Sequence, residues 1–270
     1  SFAKKTLVKK DKYDADIFIR FDKKYKKEEL SEILKKILDE VRKKEEVTLI
    51  HGSRDYFKIN LSEKFYLEIV PVRKINSIKE YENITDLSYS HVNYLKKKIK
   101  SKKMLEEIRV AKSFVGYSGC YGAESYISGF SGYSIELLVL FYGGFEKFLR
   151  GIIKAKEKEV IDIEKLYKNK QEALFNLNSS KLSSPIILID PTYKQRNALA
   201  ALSKETFEKF KKVAKGFLEK PSREYFEEKK ENLEKIKEKA EKEKKEFVII
   251  RIETEKQEGD VAGSKLLKFY

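Results

Sequence analysis

Cysteine is almost missing from this chain: Cys120 stands alone among 270 residues. No intramolecular disulfide can form, no cysteine-based zinc site can be assembled, and a reducing, cytoplasmic compartment is the expectation. Histidine is scarce as well, with His51 and His91 only. With so few bases to serve it, Cys120, set in the small-residue run SGCYG, reads as a packing residue rather than a nucleophile. No uninterrupted apolar run reaches the roughly 18 residues that a membrane span needs. Internal repeats are lacking too, which sets aside solenoids and propellers.

What the chain has in abundance is charge. Lys and Arg total 59 against 44 Asp and Glu, a formal net charge of +15. A field of that sign suits a polyanionic partner such as RNA. Lys and Glu together are also the surface composition of heat-tolerant proteins, and composition alone leaves both readings open. With 41% hydrophobic residues the chain has material for a core, and its length allows two domains, or two and an appendage.

The first stretch that carries chemistry is SFAKKTLVKKDKYDADIFIR, where a hydroxyl-bearing and basic loop runs into a strand. Alternation places Asp14 and Asp16 on one face, about 6.6 Å apart at ~3.3 Å per residue, with Ala15, Ile17 and Ile19 on the other. Two carboxylates at that spacing suit a shared divalent cation; they also suit the wetted face of an edge strand. A third acidic strand residue, Glu68, stands in FYLEIVPV, with Phe65, Leu67 and Ile69 as its apolar alternates.

Further along, residues 27–44 carry Leu30, Ile33, Leu34, Ile37, Leu38 and Val41 at helical spacing, an amphipathic helix behind a sheet. Residues 47–50, 55–61 and 64–72 read as strands, completing a small α/β unit that ends near residue 75. Segment 73–99 reads as polar and irregular. MLEEIRVAKSFVGYSG reads as a helix to about Tyr117, with Gly116 and Gly119 as stop signals. IELLVLFYGGFEKFL, apolar nearly all round, predicts one helix buried between two units. Residues 160–167 and 185–190 read as strands. Ser203 caps a helix whose buried stripe is Phe207, Phe210, Val213, Ala214 and Phe217, stopped by Pro221. Residues 223–246 read as a charge-dense helix with the thin stripe Leu233, Ile236 and Ala240, and EFVIIRIETE as a closing strand.

The order of these motifs resembles a known family. A Ser-x-Ala-x-x-Thr loop, a strand with Asp-x-Asp and a later strand with one acidic residue resemble the polymerase-beta-type nucleotidyltransferases. YGAESYISGFSGYSIELLVLFYGGFEKFL resembles the neck of archaeal CCA-adding enzymes, which build CCA at the tRNA 3′ end without a template, and DPTYKQRNALAALS is similar to a second signature of that family. The resemblance implies an α+β fold with an α/β nucleotidyltransferase head over 1–98, a helical neck over 99–158 and an α+β body over 159–270. The Gly that usually precedes the opening Ser is lacking at Ser1, so a leading segment is expected upstream, and the family's C-terminal tail is expected to be absent or only begun.

The same resemblance implies roles. Asp14, Asp16 and Glu68 match the metal-binding carboxylates that hold two Mg²⁺ ions during turnover; the third is commonly Asp. Ser1, Lys4 and Lys5 match the phosphate-side loop. His91, Lys112, Tyr121 and Ser131 match residues around the triphosphate and sugar, and Arg196 the arginine that reads the incoming base. DLSYSH departs from the more usual Asp-Arg-Thr-Pro-x-His. The implied partners are tRNA, CTP and ATP; the alternatives are poly(A) or oligoadenylate synthesis, or a tRNA-binding homologue without catalysis. Each position also has a structural reading: His91 on the surface, Lys112 solvated on a helix, Tyr121 and Ser131 as packing groups, and Arg196, in a loop before a helix, as the salt-bridge partner of Asp190.

Overall fold

The computed structural model describes residues 2–8, 13–41, 47–51, 55–74, 87–228, 233–243 and 245–248. Seven strands and eight α-helices are assigned among them: β1 (Tyr13–Phe21), α1 (Leu30–Val41), β2 (Val47–Ile50), β3 (Tyr56–Ser62), β4 (Phe65–Arg73), α2 (Ser88–Lys98), α3 (Lys102–Tyr117), α4 (Gly132–Tyr142), α5 (Phe145–Lys154), β5 (Glu159–Ile161), α6 (Lys170–Asn176), β6 (Ile186–Asp190), β7 (Tyr193–Asn197), α7 (Lys204–Glu219) and α8 (Leu233–Lys242).

The first sheet has the order β1-β4-β3-β2. β1 runs parallel to β4, with α1 on the connection between β1 and β2, while β2, β3 and β4 form an antiparallel meander. One face is apolar. Phe21, Phe57, Ile59 and Ile69 pack there on Leu30, Leu34 and Leu38 of α1, the inner stripe that the helical spacing predicted. Ile17 keeps 39% of its surface exposed, because β1 is an edge strand and its back is covered only from Ile19 and Phe21 onward.

The larger core runs from Leu95 on α2 through α3, α4 and α5 to β5, β6 and α7. Its centre is aromatic. Phe114 meets Phe145 at 5.4 Å, Phe217 at 5.1 Å and Phe226 at 5.6 Å between ring centroids, distances at which edge-to-face contacts add to area burial. Cys120 is fully buried in this core, as its small-residue setting implied.

Several elements differ from the sequence reading. Residues 88–98, placed in an irregular stretch, form α2, whose low apolar content hid it: Leu95 is its one fully buried residue. The apolar run at 132–154 is two helices, not one. Gly143 (φ 80°) and Gly144 (φ 139°) take a backbone that L side chains rarely adopt, and Glu107 of α3 accepts from Phe145 N at 2.7 Å, capping α5 from a distance. Of the expected 160–167 strand only Val160 and Ile161 are in a strand, as part of β5, which pairs with β6. Arg196 lies in β7 rather than in a loop. The long helix expected over 223–246 is a 3₁₀ turn, Arg223–Phe226, followed by α8. The closing strand expected from EFVIIRIETE falls mostly outside the described residues, and Phe247 and Val248 are not in a strand.

Candidate active site

Parallel pairing decides where the carboxylates meet. β1 and β4 are in register with Asp16 opposite Glu68 and Asp14 opposite Tyr66. Paired residues share a face of the sheet, so Asp14, Asp16 and Glu68 stand on the face away from α1. Glu68 lies within side-chain hydrogen-bonding contact of Asp16, whose carboxyl is held above the ordinary aspartate range, first by loss of solvation and then by the Asp14 charge. Among the described residues no three His, Cys, Asp or Glu side chains already converge as a closed metal cage. A hard cation such as Mg²⁺ does not require one, because it is commonly held by one or two carboxylates together with substrate phosphates. Neighbouring carboxylate oxygens on one sheet face, with Asp14 and Asp16 exposed, fit such an ion.

Facing this sheet is a buried ionic cluster that sequence reading only half found. Lys112 of α3 donates to Glu136 Oε1 of α4 at 2.6 Å and to Thr6 Oγ1 at 3.2 Å. Thr6 Oγ1 donates to the same carboxylate oxygen at 2.5 Å, and Lys4 pairs with Oε2. Thr6 and Glu136 are wholly buried and Lys112 nearly so. Burial alone would raise the Glu136 carboxyl; the Lys112 and Lys4 ammonium groups outweigh it and hold the group below its ordinary value. Lys112 is therefore not a solvated helix residue. Sequence pattern gives Glu136 no role, although a lone carboxylate inside the apolar run IELLVLFY is the available signal. Lys5, next to Lys4, takes a left-handed turn (φ 58°), and its carbonyl accepts from Arg109 at 2.8 Å. Ser1 lies outside the described residues.

The loop between α3 and α4 closes on itself. Phe130 N donates to Cys120 O at 2.8 Å and Gly122 N to Phe130 O at 2.9 Å, which pairs Tyr121 with Phe130. Two glycines of GFSGY follow from sterics: a Cβ at Gly129 would collide with the Cys120 carbonyl, and one at Gly132 would sit 2.5 Å from the Tyr121 hydroxyl and 3.6 Å from Lys112 Nζ. Tyr121 is thus seated against the first turn of α4. Burial, then the charges of Glu136 and Asp14, push its hydroxyl up to about 12, so it stays protonated. Ser131 is the N-cap of α4, accepting from Ser134 N at 3.1 Å.

A second polar node joins α2, α4 and the second sheet. Asp190, wholly buried at the end of β6, accepts from Arg196 at 2.6 Å and shares a 2.9 Å contact with His91 Nε2 through Oδ2. Its Oδ1 accepts from Thr192 N and Oγ1, both at 2.8 Å, and from the Tyr133 hydroxyl at 3.1 Å. Burial works against the Asp190 charge, yet the His91 hydrogen bond and the Arg196 guanidinium hold its carboxyl well below the carboxylate range. His91, stacked on Tyr133 at 4.1 Å, is lowered by burial. The imidazole is accordingly neutral near pH 7, with its Nε2–H donating to the Asp190 carboxylate and Arg196 supplying the positive charge. His91 is not a surface histidine, and the Arg196–Asp190 salt bridge is formed.

Residues 106–227 match the second domain of tRNA nucleotidyltransferases. The chain is 44% identical over 209 residues to the CCA-adding enzyme of Nanoarchaeum equitans, covering 77% of this chain and 51% of that protein. Identity is 33% over 240 residues to the CCA-adding enzyme of Methanocaldococcus jannaschii, covering 84% and 50%. The chain spans about half the length of the curated relatives it matches. Among solved structures, the Cid1 poly(U) polymerase superposes with a TM-score of 0.60 at 13% identity, covering 80% of this chain and 81% of that one. The chain is a homologue of the archaeal CCA-adding enzymes, built on the polymerase-beta-type nucleotidyltransferase fold, with the tRNA nucleotidyltransferase second domain at residues 106–227.

Proposed function

We propose that this chain carries the machinery that adds C, C and A to a tRNA 3′ end from CTP and ATP, releasing pyrophosphate, in the cytoplasm. The observation that carries this reading is the register of Asp16 against Glu68 on a sheet face whose Asp14 charge reaches Tyr121, beside the Lys112–Glu136 cluster. Carboxylates, an anion-binding helix terminus and buried lysines meet there, the set that phosphoryl transfer needs for positioning and charge neutralisation.

Asp14, Asp16 and Glu68 would hold the divalent cations, and Glu68, longer than Asp by one methylene, reaches further from its strand. Cid1 poly(U) polymerase was solved with Mg and 3′-dATP, which supports divalent metal use on this fold. When bound, such ions supply Lewis-acid stabilisation of the transferring phosphoryl group and activation of the RNA 3′ hydroxyl.

The rest is work for the chain's own side chains. Glu136 holds Lys4 and Lys112 by ion pairs. The Lys112 ammonium, bonded to Glu136 Oε1, Thr6 Oγ1 and Thr6 O, adds its charge to the site without direct contact, and Lys4, the less buried of the two, would meet the triphosphate. The Tyr121 hydroxyl, protonated at working pH, donates a hydrogen bond; the Ser131 hydroxyl, accepting from Ser134 N, keeps its own proton to donate. The first turn of α4 adds its positive dipole end. Arg196 uses one guanidinium nitrogen on Asp190 and directs its other donors to acceptors on cytosine or adenine, with His91 and Tyr133 fixing the plane. No protein general base is required.

The test is to incubate the protein with Mg²⁺, CTP, ATP and tRNA transcripts lacking one, two or all three terminal nucleotides. Addition in order that stops at CCA supports the reading. Long homopolymer on any RNA would assign it to poly(A)-type synthesis, and RNA binding without addition to a non-catalytic homologue.

A further inference from the structure

We infer that the outer face of α2, with Arg20 of β1, is a second RNA-docking surface that grips the sugar-phosphate backbone and stacks one unpaired base outside the nucleotide cleft. Two features carry it, one electrostatic and one aromatic. The inference rests on the proposed function only in taking RNA as the substrate class.

Between Asp86 and Glu106, nineteen consecutive residues contain no carboxylate, in a chain with 44 Asp and Glu. Six of the eight residues 96–103 are lysines: Lys96, Lys97, Lys98, Lys100, Lys102 and Lys103. All six are exposed. Lys98 pairs with Glu164 at 2.7 Å; among the described residues the other five have no carboxylate partner. A structural explanation covers part of the run, since Lys96, Lys97 and Lys98 lie in the last turn of α2, where cations complement the helix dipole. Lys102 and Lys103 open α3, which has no acidic residue in its first turn, and there cations oppose the dipole. Nor can α2 neutralise its own lysines by i,i+4 pairing, having no acid to do it. A basic patch in which five of six lysines have no carboxylate partner among the described residues, two of them at a helix start where cations are unfavourable, is complementary to a polyanion.

Helical spacing aligns this patch with an aromatic platform. Tyr89, Asn93, Lys96 and Lys97 recur at intervals of three and four and so share one face of α2, with Lys100 just beyond its end; His91 and Leu95, on the other face, point into the candidate site and the core. Tyr89 is 55% exposed. The Arg20 guanidinium lies 4.3 Å from its ring centroid, and Asn93 hydrogen-bonds its hydroxyl. An exposed aromatic ring, held by an arginine on one side and flanked by lysines, is the arrangement on which unpaired bases stack while the backbone is neutralised.

Continuity with the site gives the surface its direction. Arg20 shares the strand face of Asp14 and Asp16, four residues or about 13 Å beyond Asp16. RNA whose 3′ end lies at the carboxylates would therefore pass Arg20 and Tyr89 before reaching the lysines.

The test measures binding rather than chemistry. Wild-type protein, a Lys96→Gln/Lys97→Gln/Lys100→Gln triple variant, Tyr89→Ala and Tyr89→Phe are titrated with a tRNA transcript lacking CCA across a salt series. In the triple variant the dependence of log Kd on log salt is expected to be shallower by about two to three, one lost phosphate contact per lysine. Tyr89→Ala is expected to weaken binding roughly tenfold with an unchanged salt slope, and Tyr89→Phe, which keeps the ring, to stay within about twofold of wild type. In nucleotide addition the triple variant should raise KM for tRNA and leave kcat unchanged. If wild type adds nucleotides while the triple variant and Tyr89→Ala keep its affinity and slope, the surface is wrong and the proposed function stands. If the variants weaken RNA binding but wild type adds no nucleotide, the function is wrong and the surface stands. Binding of wild type to vesicles of anionic phospholipid but not to RNA would overturn the RNA assignment.

Discussion

Lys112 Nζ and Glu136 Oε1 lie 2.6 Å apart in a setting almost closed to solvent, with Thr6 hydrogen-bonded to both. The pair ties the segment before β1 to α3 and α4, so one buried cluster fixes three separate stretches of the chain to one another. Its loss on one side alone leaves a buried charge uncompensated.

From this pair we expect Glu136→Gln and Lys112→Met each to destabilise by about 3 kcal/mol, while the double variant recovers part of the loss. Chemical denaturation of the three variants checks it. If Lys112 contributes charge to nucleotide binding as proposed, the double variant should still bind CTP and ATP more weakly than wild type although its stability is partly restored.

Acid stability should decline in two steps. The folded state holds His91 below its ordinary value, so as pH falls through the normal histidine value of about 6.5 the unfolded chain takes up the proton first and stability drops. Asp190 and Glu136 are likewise held below the ordinary carboxylate range. Their stabilisation is complete above about pH 5 and is lost as pH falls further. Melting temperature against pH resolves the two steps, and His91→Gln, which keeps a donor for Asp190 without titrating, should remove the upper one.

Asp16→Asn should cut nucleotide addition by at least about a thousandfold while tRNA binding persists, since charge stabilisation at the transferring phosphoryl group is usually the largest contribution. Wild-type protein should gain thermal stability from Mg²⁺ plus CTP, and EDTA should abolish the gain. The same gain in Asp16→Asn would remove this residue from the metal role.

The loop glycines separate packing from function. Gly129→Ala drives a methyl into the Cys120 carbonyl, a backbone atom that cannot step aside, and should cost about 2 kcal/mol. Gly132→Ala meets the Tyr121 hydroxyl, the far end of a side chain. Stability should change little there, whereas affinity for CTP and ATP should fall as Tyr121 is displaced; calorimetric titration alongside unfolding distinguishes them.

For Arg196→Ala, addition is expected to lose its choice between CTP and ATP, scored by sequencing the products. Asp190, deprived of its charged partner, should then also reduce stability by a few kcal/mol.

Some of this protein was settled by the order of its residues. Alternation in DADIFIR and FYLEIVPV set which side chains share a face, the 3.6-residue stripe of Leu30, Leu34 and Leu38 set a helix behind the sheet, and Ser203 capped α7 as a Ser before an amphipathic run does. Those are local effects of backbone geometry, legible wherever the apolar pattern is strong. α2 was not legible, because its inner face carries one fully buried apolar residue, Leu95, beside the polar anchor His91, too little for an apolar stripe. The break at Gly143 and Gly144 was hidden by apolar residues on both sides.

Long-range pairing was decided only in three dimensions. Parallel register brought Asp16 to Glu68 across 52 positions, and burial brought Lys112 to Glu136 and Arg196 to Asp190 with His91. A sequence names the charges, but their desolvation, and hence which partner each must find, is set by the packing that surrounds them.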